Sequence, residues 1–317
     1  MTQSKLAFVF PGQGSQKVGM LASMAASQPL VEETFAEASE ALGYDLWQLV
    51  QQGPQEELNL TERTQPMLLA AGVALWRVWQ QQGGAEPGMM AGHSLGEFTA
   101  LVCADSLAFG DAITLVQQRG AFMQSAVPVG VGAMAAIIGL DDEAINAACA
   151  EAAQGEVVAA VNYNSPGQVV IAGHADAVER AVAGCKAAGA RRAMPLPVSA
   201  PFHTDLMRPA GEQLAGAIAA IDVKSPRIPV VHNVNASTES DPEKITALLV
   251  EQIYSPVRWV ECVQALRSGG AELAVESGPG NVLGGLIRRI DKTFSVAGLE
   301  DPAGLEKALA DAAALMA

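Results

Sequence analysis

The chain has few charged and few aromatic residues and no long hydrophobic run. Of its 317 residues, 17% are charged and 5% aromatic, whereas half are hydrophobic. Its apolar stretches, such as 67–76, are shorter than the ~20 residues of a membrane-spanning helix. We therefore expect no membrane span. The length and the apolar content instead favour one large α/β domain that carries a smaller inserted domain.

Positive charge is also scarce. The sequence has 19 Lys and Arg against 34 Asp and Glu, which gives a formal net charge of −15. Nucleic acids and anionic membranes bind clustered cationic side chains. The charge balance therefore argues against both as partners, and an acidic protein partner would need a local basic patch.

The few cysteines show no Cys-x-x-Cys or Cys/His spacing. They are Cys103, Cys149, Cys185 and Cys262. We expect buried free thiols, with no disulfide and no metal site. The N-terminus leads directly into the strand-like segment 6–10, without the apolar region and cleavage site of a signal peptide, and this predicts a cytoplasmic protein.

Apolar runs closed by Gly and Pro predict an α/β domain. Segment 6–10 is a predicted buried strand that ends in the turn Pro11–Gly14. Further strands are predicted at 88–92, 229–233 and 271–277, and helices at 65–82, 109–125 and 303–317, with another after Ser94.

Residues 128–198 have their own pattern of predicted strands and helices, and prolines lie at both ends of this segment. The pattern predicts strands at 133–140, 157–162, 168–173 and 190–196, and helices at 141–154 and 174–188. This βαββαβ order is ferredoxin-like. We therefore predict an α/β-hydrolase-like domain with a parallel sheet, formed by residues 1–127 and 199–317, and an inserted ferredoxin-like domain at 128–198.

The strongest chemical signal is the Gly-x-Ser-x-Gly pattern around Ser94. Gly92 and Gly96 permit a sharp strand-to-helix turn that lifts the serine hydroxyl above the sheet edge. The same turn directs the Leu95 N–H and the helix N-terminus toward a developing oxyanion. Because so short a pattern also occurs by chance, a Gly-rich turn with a surface serine is the alternative.

A serine nucleophile needs a base, and the chain has four histidines. His203 lies in a proline-braced loop where the chain re-enters the large domain, a position typical of catalytic residues. An exposed loop histidine is an equal interpretation on this pattern alone. His93 is predicted to be structural, and His174 and His232 to be satisfied polar residues.

Two other features bear on a site. The turn 11–16 closes the first strand, where open α/β sheets bind ligands. Lys17 stands where a dinucleotide fingerprint would have its third Gly, so we expect the turn to donate a backbone N–H opposite Ser94 rather than to bind phosphate. Arg119 lies in a mostly apolar helix, where a cation usually reaches solvent but in a cleft can hold a carboxylate.

Six motifs in order make the chain similar to the malonyl-CoA:acyl carrier protein transacylases of type II fatty acid synthesis. They are Phe10–Gln16, Gly92–Glu97, Gln118–Gly120, Asn164–Gln168, Phe202–His203 and Glu276–Gly280. The resemblance covers nearly the whole chain. It implies malonyl-CoA and phosphopantetheinylated acyl carrier protein as partners, and we expect a monomer without a cofactor.

The resemblance also implies residue roles in a ping-pong acyl transfer. Ser94 would become malonylated, with His203 as base and later acid. The backbone N–H groups of Gln13 and Leu95 would form the oxyanion hole.

Further implied roles concern selectivity and orientation. Arg119 would pair with the free malonyl carboxylate, and the backbone carbonyl of Gln252 would orient His203, so that a Ser-His dyad needs no third acid. Phe202 resembles malonyl-selective members, in which its bulk crowds a 2-methyl branch. Pro201 before it departs from the small residue often found in relatives.

The resemblance implies an acidic carrier protein, which needs a basic patch on this chain. The candidates are Lys186, Arg191, Arg192, Arg288, Arg289 and Lys292. A solvated charged face is an equal interpretation of these residues.

Two alternatives remain at this stage. A serine hydrolase shares the turn and the base but passes the acyl group to water. It has no use for a buried Arg119, and α/β-hydrolases usually place an acid between Ser and His in the chain. A silent scaffold that binds carrier protein would not need Ser94, His203 and Arg119 together.

Overall fold

The computed structural model describes residues 4–198 and 200–316, so Ser199, at the predicted domain boundary, lies outside the described residues. The strands are β1 (Leu6–Phe10), β2 (Met89–Gly92), β3 (Gly132–Ile138), β4 (Val158–Ser165), β5 (Gln168–His174), β6 (Arg192–Pro195), β7 (Val230–Val231), β8 (Leu273–Glu276) and β9 (Ser295–Gly298). The helices are α1 (Ala22–Ser27), α2 (Leu30–Leu42), α3 (Leu46–Gln52), α4 (Gln55–Leu58), α5 (Thr61–Gln81), α6 (Leu95–Cys103), α7 (Phe109–Ser125), α8 (Asp142–Ala153), α9 (Ala175–Ala187), α10 (Arg208–Ile218), α11 (Pro242–Gln252), α12 (Trp259–Ser268), α13 (Val282–Ile290) and α14 (Pro302–Met316), with a 3₁₀ turn at Asp205–Met207.

Five strands form a parallel sheet in the order β7-β2-β1-β8-β9. The predicted strands at 6–10, 88–92, 229–233 and 271–277 are confirmed, although β7 is only two residues long. Strand β9 was not predicted, because this edge strand buries only Ala297 and has no apolar run to mark it. The parallel order brings the carboxyl ends of β1, β2 and β7 to one edge.

Helix α5 packs against this sheet and is buried along most of its length. The Phe8 ring contacts Trp76 and Trp79 edge-on, with ring centroids 4.9 and 5.2 Å apart. The helix begins at Thr61, four residues before the predicted start, because its polar first turn carries no apolar pattern. The core under the sheet thus anchors the edge where β1 and β2 end.

The second sheet is antiparallel, in the order β4-β5-β3-β6, with α8 and α9 packed on it. This confirms the predicted ferredoxin-like βαββαβ unit. Its separate hydrophobic core supports the division into 1–127 plus 199–317 and 128–198, which we retain as a proposal. Within residues 4–198 and 200–316, no helix combines the length and apolar character that crossing a membrane requires. All four cysteines are buried, as predicted, and the structure has them as free thiols.

Candidate active site

Ser94 occupies a strained turn between β2 and α6. Its φ of 51° and ψ of −107° place it in a region that side-chain-bearing residues rarely adopt. The flanking glycines are required by close approach. A Cβ on Gly92 would lie 1.9 Å from the carbonyl carbon of Gly96, and one on Gly96 would lie 2.0 Å from the Phe10 oxygen. The predicted strand-to-helix turn is therefore present, with the hydroxyl at the end of β2.

Asn233, which follows β7, braces this turn. Its Oδ1 accepts a hydrogen bond from the Ser94 N–H at 2.7 Å, and its Nδ2 donates to the Gly92 carbonyl at 2.7 Å. Asn233 is fully buried. Sequence reasoning did not find it, because only the β2–β7 pairing brings it beneath the turn.

The fold brings His203 to Ser94 across 109 positions of the chain. The Nε2 atom of His203 lies 2.9 Å from the Ser94 Oγ, and its Nδ1 lies 2.8 Å from the backbone oxygen of Gln252. Since a carbonyl only accepts, Nδ1 carries the proton and Nε2 presents its lone pair to the serine hydroxyl. The geometry is that of a nucleophile held by an oriented base.

Burial, together with the nearby positive charge of Arg119, lowers the pKa of His203 to about 3, although the hydrogen bond to the Gln252 backbone acts in the opposite direction. Only 4% of the residue is exposed. Its imidazole is therefore neutral, and available as a base, throughout the physiological pH range.

The rate at which an acyl donor acylates Ser94 is accordingly expected to stay constant from pH 8 down to pH 5. For a histidine with the ordinary pKa of about 6.5, the neutral fraction would fall about thirtyfold by pH 5. Because the pKa is depressed in the folded protein, the base is protonated and lost only as the pH falls toward about 3. The measurement is the pH profile of the second-order acylation rate at a low concentration of the acyl donor. A limb centred near pH 6.5 would contradict this assignment.

Arg119, on α7, is buried at 1% exposure beside Ser94. Its Nη1 donates to Gln65 Oε1 at 2.8 Å, and its Nη2 donates to Gln252 Oε1 at 2.7 Å and to Ser94 Oγ at 3.2 Å. Its Nε has no partner among the described residues. Burial lowers its pKa to about 10, so the guanidinium is charged at neutral pH. A buried cation with a free donor is suited to bind an anion.

A cavity of about 240 Å³ opens onto Ser94 between the two sheets. Gln13, Leu95 and Phe202 line it together with Arg119 and His203. Leu95 is the first residue of α6, so its N–H is among those with no acceptor inside the helix. All the catalytic and binding residues proposed from the sequence therefore line this cavity, except Gln252. Gln252 instead forms hydrogen bonds with Arg119, His203 and Ser94.

Each of the remaining histidines has a hydrogen-bond partner at one ring nitrogen, but the buried Nε2 of His232 has none among the described residues, so the prediction that His232 is a satisfied polar residue holds only for its Nδ1. His93 Nε2 lies 2.8 Å from Asn164 Oδ1 on the cavity wall, and burial lowers the His93 pKa. His174 Nδ1 accepts from the Val157 N–H at 2.9 Å, and His174 does not line the cavity. His232 Nδ1 lies 2.8 Å from a fully buried Glu97 carboxylate.

Sequence reasoning missed the role of three buried polar residues around Arg119. Gln65, Glu97 and His232 are each 0–2% exposed. Their signal was a polar side chain inside an otherwise apolar helix or strand end, which costs free energy unless it is hydrogen-bonded. Among residues 4–198 and 200–316, no group of three or more His, Cys, Asp or Glu side chains is arranged to hold a metal ion.

Comparison with known proteins places this geometry in context. A family model described as an acyl transferase domain matches residues 7–298. A malonyl CoA-acyl carrier protein transacylase of Salmonella typhimurium is 61% identical over 98% of this chain and 99% of its own, and one of Bacillus subtilis is 43% identical over 96% of each.

Solved structures agree with these sequence relatives. An acyl carrier protein S-malonyltransferase of Vibrio cholerae matches with a TM-score of 0.94 and 60% identity, over 96% of this chain and 99% of its own. A malonyl-transacylase in complex with a type II polyketide synthase acyl-carrier protein matches with a TM-score of 0.96 and 57% identity, over 97% of this chain and all of its own.

Proposed function

Because this chain belongs to the acyl transferase family of malonyl CoA-acyl carrier protein transacylases, we propose that it carries the malonyl group on Ser94 in a ping-pong reaction. The hydrogen bond of 2.9 Å between Ser94 Oγ and His203 Nε2 is the observation that supports this mechanism best. Malonyl-CoA is the donor and acyl carrier protein the acceptor.

In the first half-reaction, Ser94 Oγ attacks the thioester carbonyl and its proton passes to His203 Nε2. The bond from carbon to sulfur then breaks, and the departing CoA sulfur takes that proton. In the second half, the phosphopantetheine thiol gives its proton to His203 and attacks the ester carbonyl. Ser94 Oγ leaves and recovers the proton, so the enzyme is unchanged after one cycle.

The oxyanion of each tetrahedral intermediate is assigned to the backbone N–H groups of Gln13 and Leu95. Leu95 stands at the N-terminus of α6, where the helix dipole favours negative charge. Gln13 faces it from the turn after β1 on the same cavity. Fixed donors of this kind typically contribute about 10²- to 10³-fold in rate.

Arg119 is assigned to the free carboxylate of the malonyl group. Its guanidinium lies 3.2 Å from Ser94 Oγ and has an unpartnered Nε, so a carboxylate attached to the acyl carbon can reach it. An acetyl group would leave this cation buried without an anion, which favours malonyl over acetyl. Phe202 lines the same cavity, where its bulk would crowd a 2-methyl branch.

The six cations of the candidate basic patch are the proposed docking site for the acidic carrier protein. These cations are exposed, and none forms an ion pair among the described residues. Arg289 donates to Gln168 Oε1, and Gln168 lines the cavity. Arg191 packs at Gly139, whose N–H donates to the Gly167 carbonyl beside Gln168. Arg289 and Arg191 therefore lie near the cavity, where a pantetheine arm would have to enter.

The test of this function is the intact mass of the protein after brief incubation with malonyl-CoA. Wild type is expected to gain one malonyl group and to lose it on addition of phosphopantetheinylated carrier protein. Ser94→Ala is expected to gain none, because the nucleophilic oxygen is absent. Accumulation of free malonate in place of malonyl-carrier protein would indicate a hydrolase, and a malonyl adduct on Ser94→Ala would refute the assigned nucleophile.

A further inference from the structure

Arg119 is a buried cation without a neighbouring anion. Its described hydrogen-bond partners, Gln65, Gln252 and Ser94, are all neutral groups. No described carboxylate lies within 4 Å of it. Since an uncompensated buried charge is strongly destabilising, the unloaded protein needs a counter-charge that does not occupy the guanidinium itself.

The buried carboxylate that meets this need is that of Glu97, which is separated from Arg119 by the side chain of Gln252. Gln252 Nε2 donates to Glu97 Oε2 at 2.8 Å, while its Oε1 accepts from Arg119 Nη2 at 2.7 Å. The opposite orientation of this amide would set N–H against N–H at Arg119 and oxygen against oxygen at Glu97. The carboxylate and the guanidinium together therefore fix the orientation of the amide, and their opposite charges polarise it.

The other partners of Glu97 leave its negative charge in place. It accepts from the Asn233 N–H at 2.9 Å and contacts His232 Nδ1 at 2.8 Å. His232 Nε2 is buried with no partner among the described residues. A second proton there would be an unsatisfied buried donor, so a neutral imidazole that donates from Nδ1 fits this environment. The negative charge of Glu97 also raises the Arg119 pKa, against the effect of burial.

We propose that Glu97 is the counter-charge of Arg119 in the unloaded enzyme, and that the side-chain amide of Gln252 transmits its electrostatic effect to the guanidinium. The amide spacer keeps Arg119 ordered and charged, yet leaves it free to take the substrate carboxylate. Glu97 thus acts through Gln252, where it stabilises the unloaded Arg119 and weakens the attraction of Arg119 for the acyl carboxylate. Gln252 has two uses, since its backbone oxygen holds His203 and its side chain holds Arg119. The inference rests on the proposed pairing of Arg119 with malonyl.

The test is Glu97→Gln, which preserves the shape of the side chain. Its amide oxygen can accept from Asn233 and Gln252, and its amide nitrogen can donate to His232 Nδ1 in the other tautomer. That tautomer places the ring proton on the unpartnered Nε2 of His232, so the cost of this change is separated from the loss of charge by the Arg119→Met cycle below. Unloaded Glu97→Gln is expected to have a Tm about 5 °C below wild type, because Arg119 is then uncompensated. Excess malonyl-CoA should raise the variant's Tm by about 5 °C more than that of wild type, while acetyl-CoA should not.

Two further measurements separate charge from mere packing. The malonyl-to-acetyl loading ratio is expected to rise about tenfold in Glu97→Gln, because a negative charge near the malonyl carboxylate has been removed. In an Arg119→Met background, Glu97→Gln should cost less stability than in wild type, as a double-mutant cycle reports. Equal malonyl-induced Tm shifts in wild type and Glu97→Gln would overturn the proposal. If wild type takes no malonyl group by intact mass, the proposed function fails instead.

Discussion

Changing Arg119 to methionine is expected to lower the rate of malonyl loading about a thousandfold while acetyl loading stays within about tenfold of wild type. Methionine fills much of the same space in the buried wall without a charge. The malonyl carboxylate would then enter a dry cavity with no cation to pair with, whereas an acetyl group needs none. The measurement is single-turnover loading from each thioester, followed by intact mass.

Arg119→Lys is the matched control for charge without the planar fork. Its ammonium keeps the charge but cannot reproduce the guanidinium geometry toward Gln65, Gln252 and a carboxylate together. An intermediate malonyl rate is expected. A fall of the same size for both thioesters in Arg119→Met would contradict the carboxylate assignment and indicate damage to Ser94 or His203.

Changing His203 to alanine is expected to slow malonyl loading about a thousandfold, the contribution typical of a positioned general base. The imidazole is the described side chain whose nitrogen lies within hydrogen-bond distance of Ser94 Oγ with its lone pair free. The loss should appear in kcat with malonyl-CoA and acetyl-CoA alike, because Ser94 must give up its proton as it attacks either thioester carbonyl.

His174→Asn provides a histidine control outside the site. His174 occupies the N-cap position of α9 without a side-chain capping bond, and its Nδ1 accepts from the Val157 N–H, so its loss should leave loading within about twofold of wild type. Retention of most of the loading rate in His203→Ala, with the fold intact by circular dichroism, would show that another group deprotonates Ser94.

Local patterns were sufficient wherever the chemistry is contained in a few consecutive residues. Gly92 and Gly96 reveal the turn because a Cβ at either position would lie only 1.9 or 2.0 Å from a backbone atom, which excludes any side chain there. The alternation of strands and helices in 128–198 reveals the ferredoxin-like unit, since hydrophobic periodicity reports secondary structure directly. The roles of His203 and Gln252 came from resemblance to a family, because no spacing rule relates residues 109 or 158 positions from Ser94.

The buried polar network lay beyond sequence reasoning. The sequence showed Glu97 only as the last residue of the motif Gly92–Glu97, and Gln65 only as one polar residue in an apolar helix. Which polar groups share a hydrogen bond depends on how α5, α6, α7 and α11 pack, and side-chain chemistry alone allows many pairings. Asn233 shows the same limit, since its support of Ser94 exists only because β7 lies beside β2.

The sequence by itself determined much of the secondary structure, the two-sheet α/β fold, the serine turn and an acyl-transfer family, because these follow from periodicity, glycine placement and motif order. Only the tertiary structure decided that Arg119 is held by neutral groups, that the Gln252 amide connects it to the Glu97 carboxylate, and that His203 is neutral. Those properties depend on distance and burial, which are set when separate segments pack together and water is excluded from the cavity.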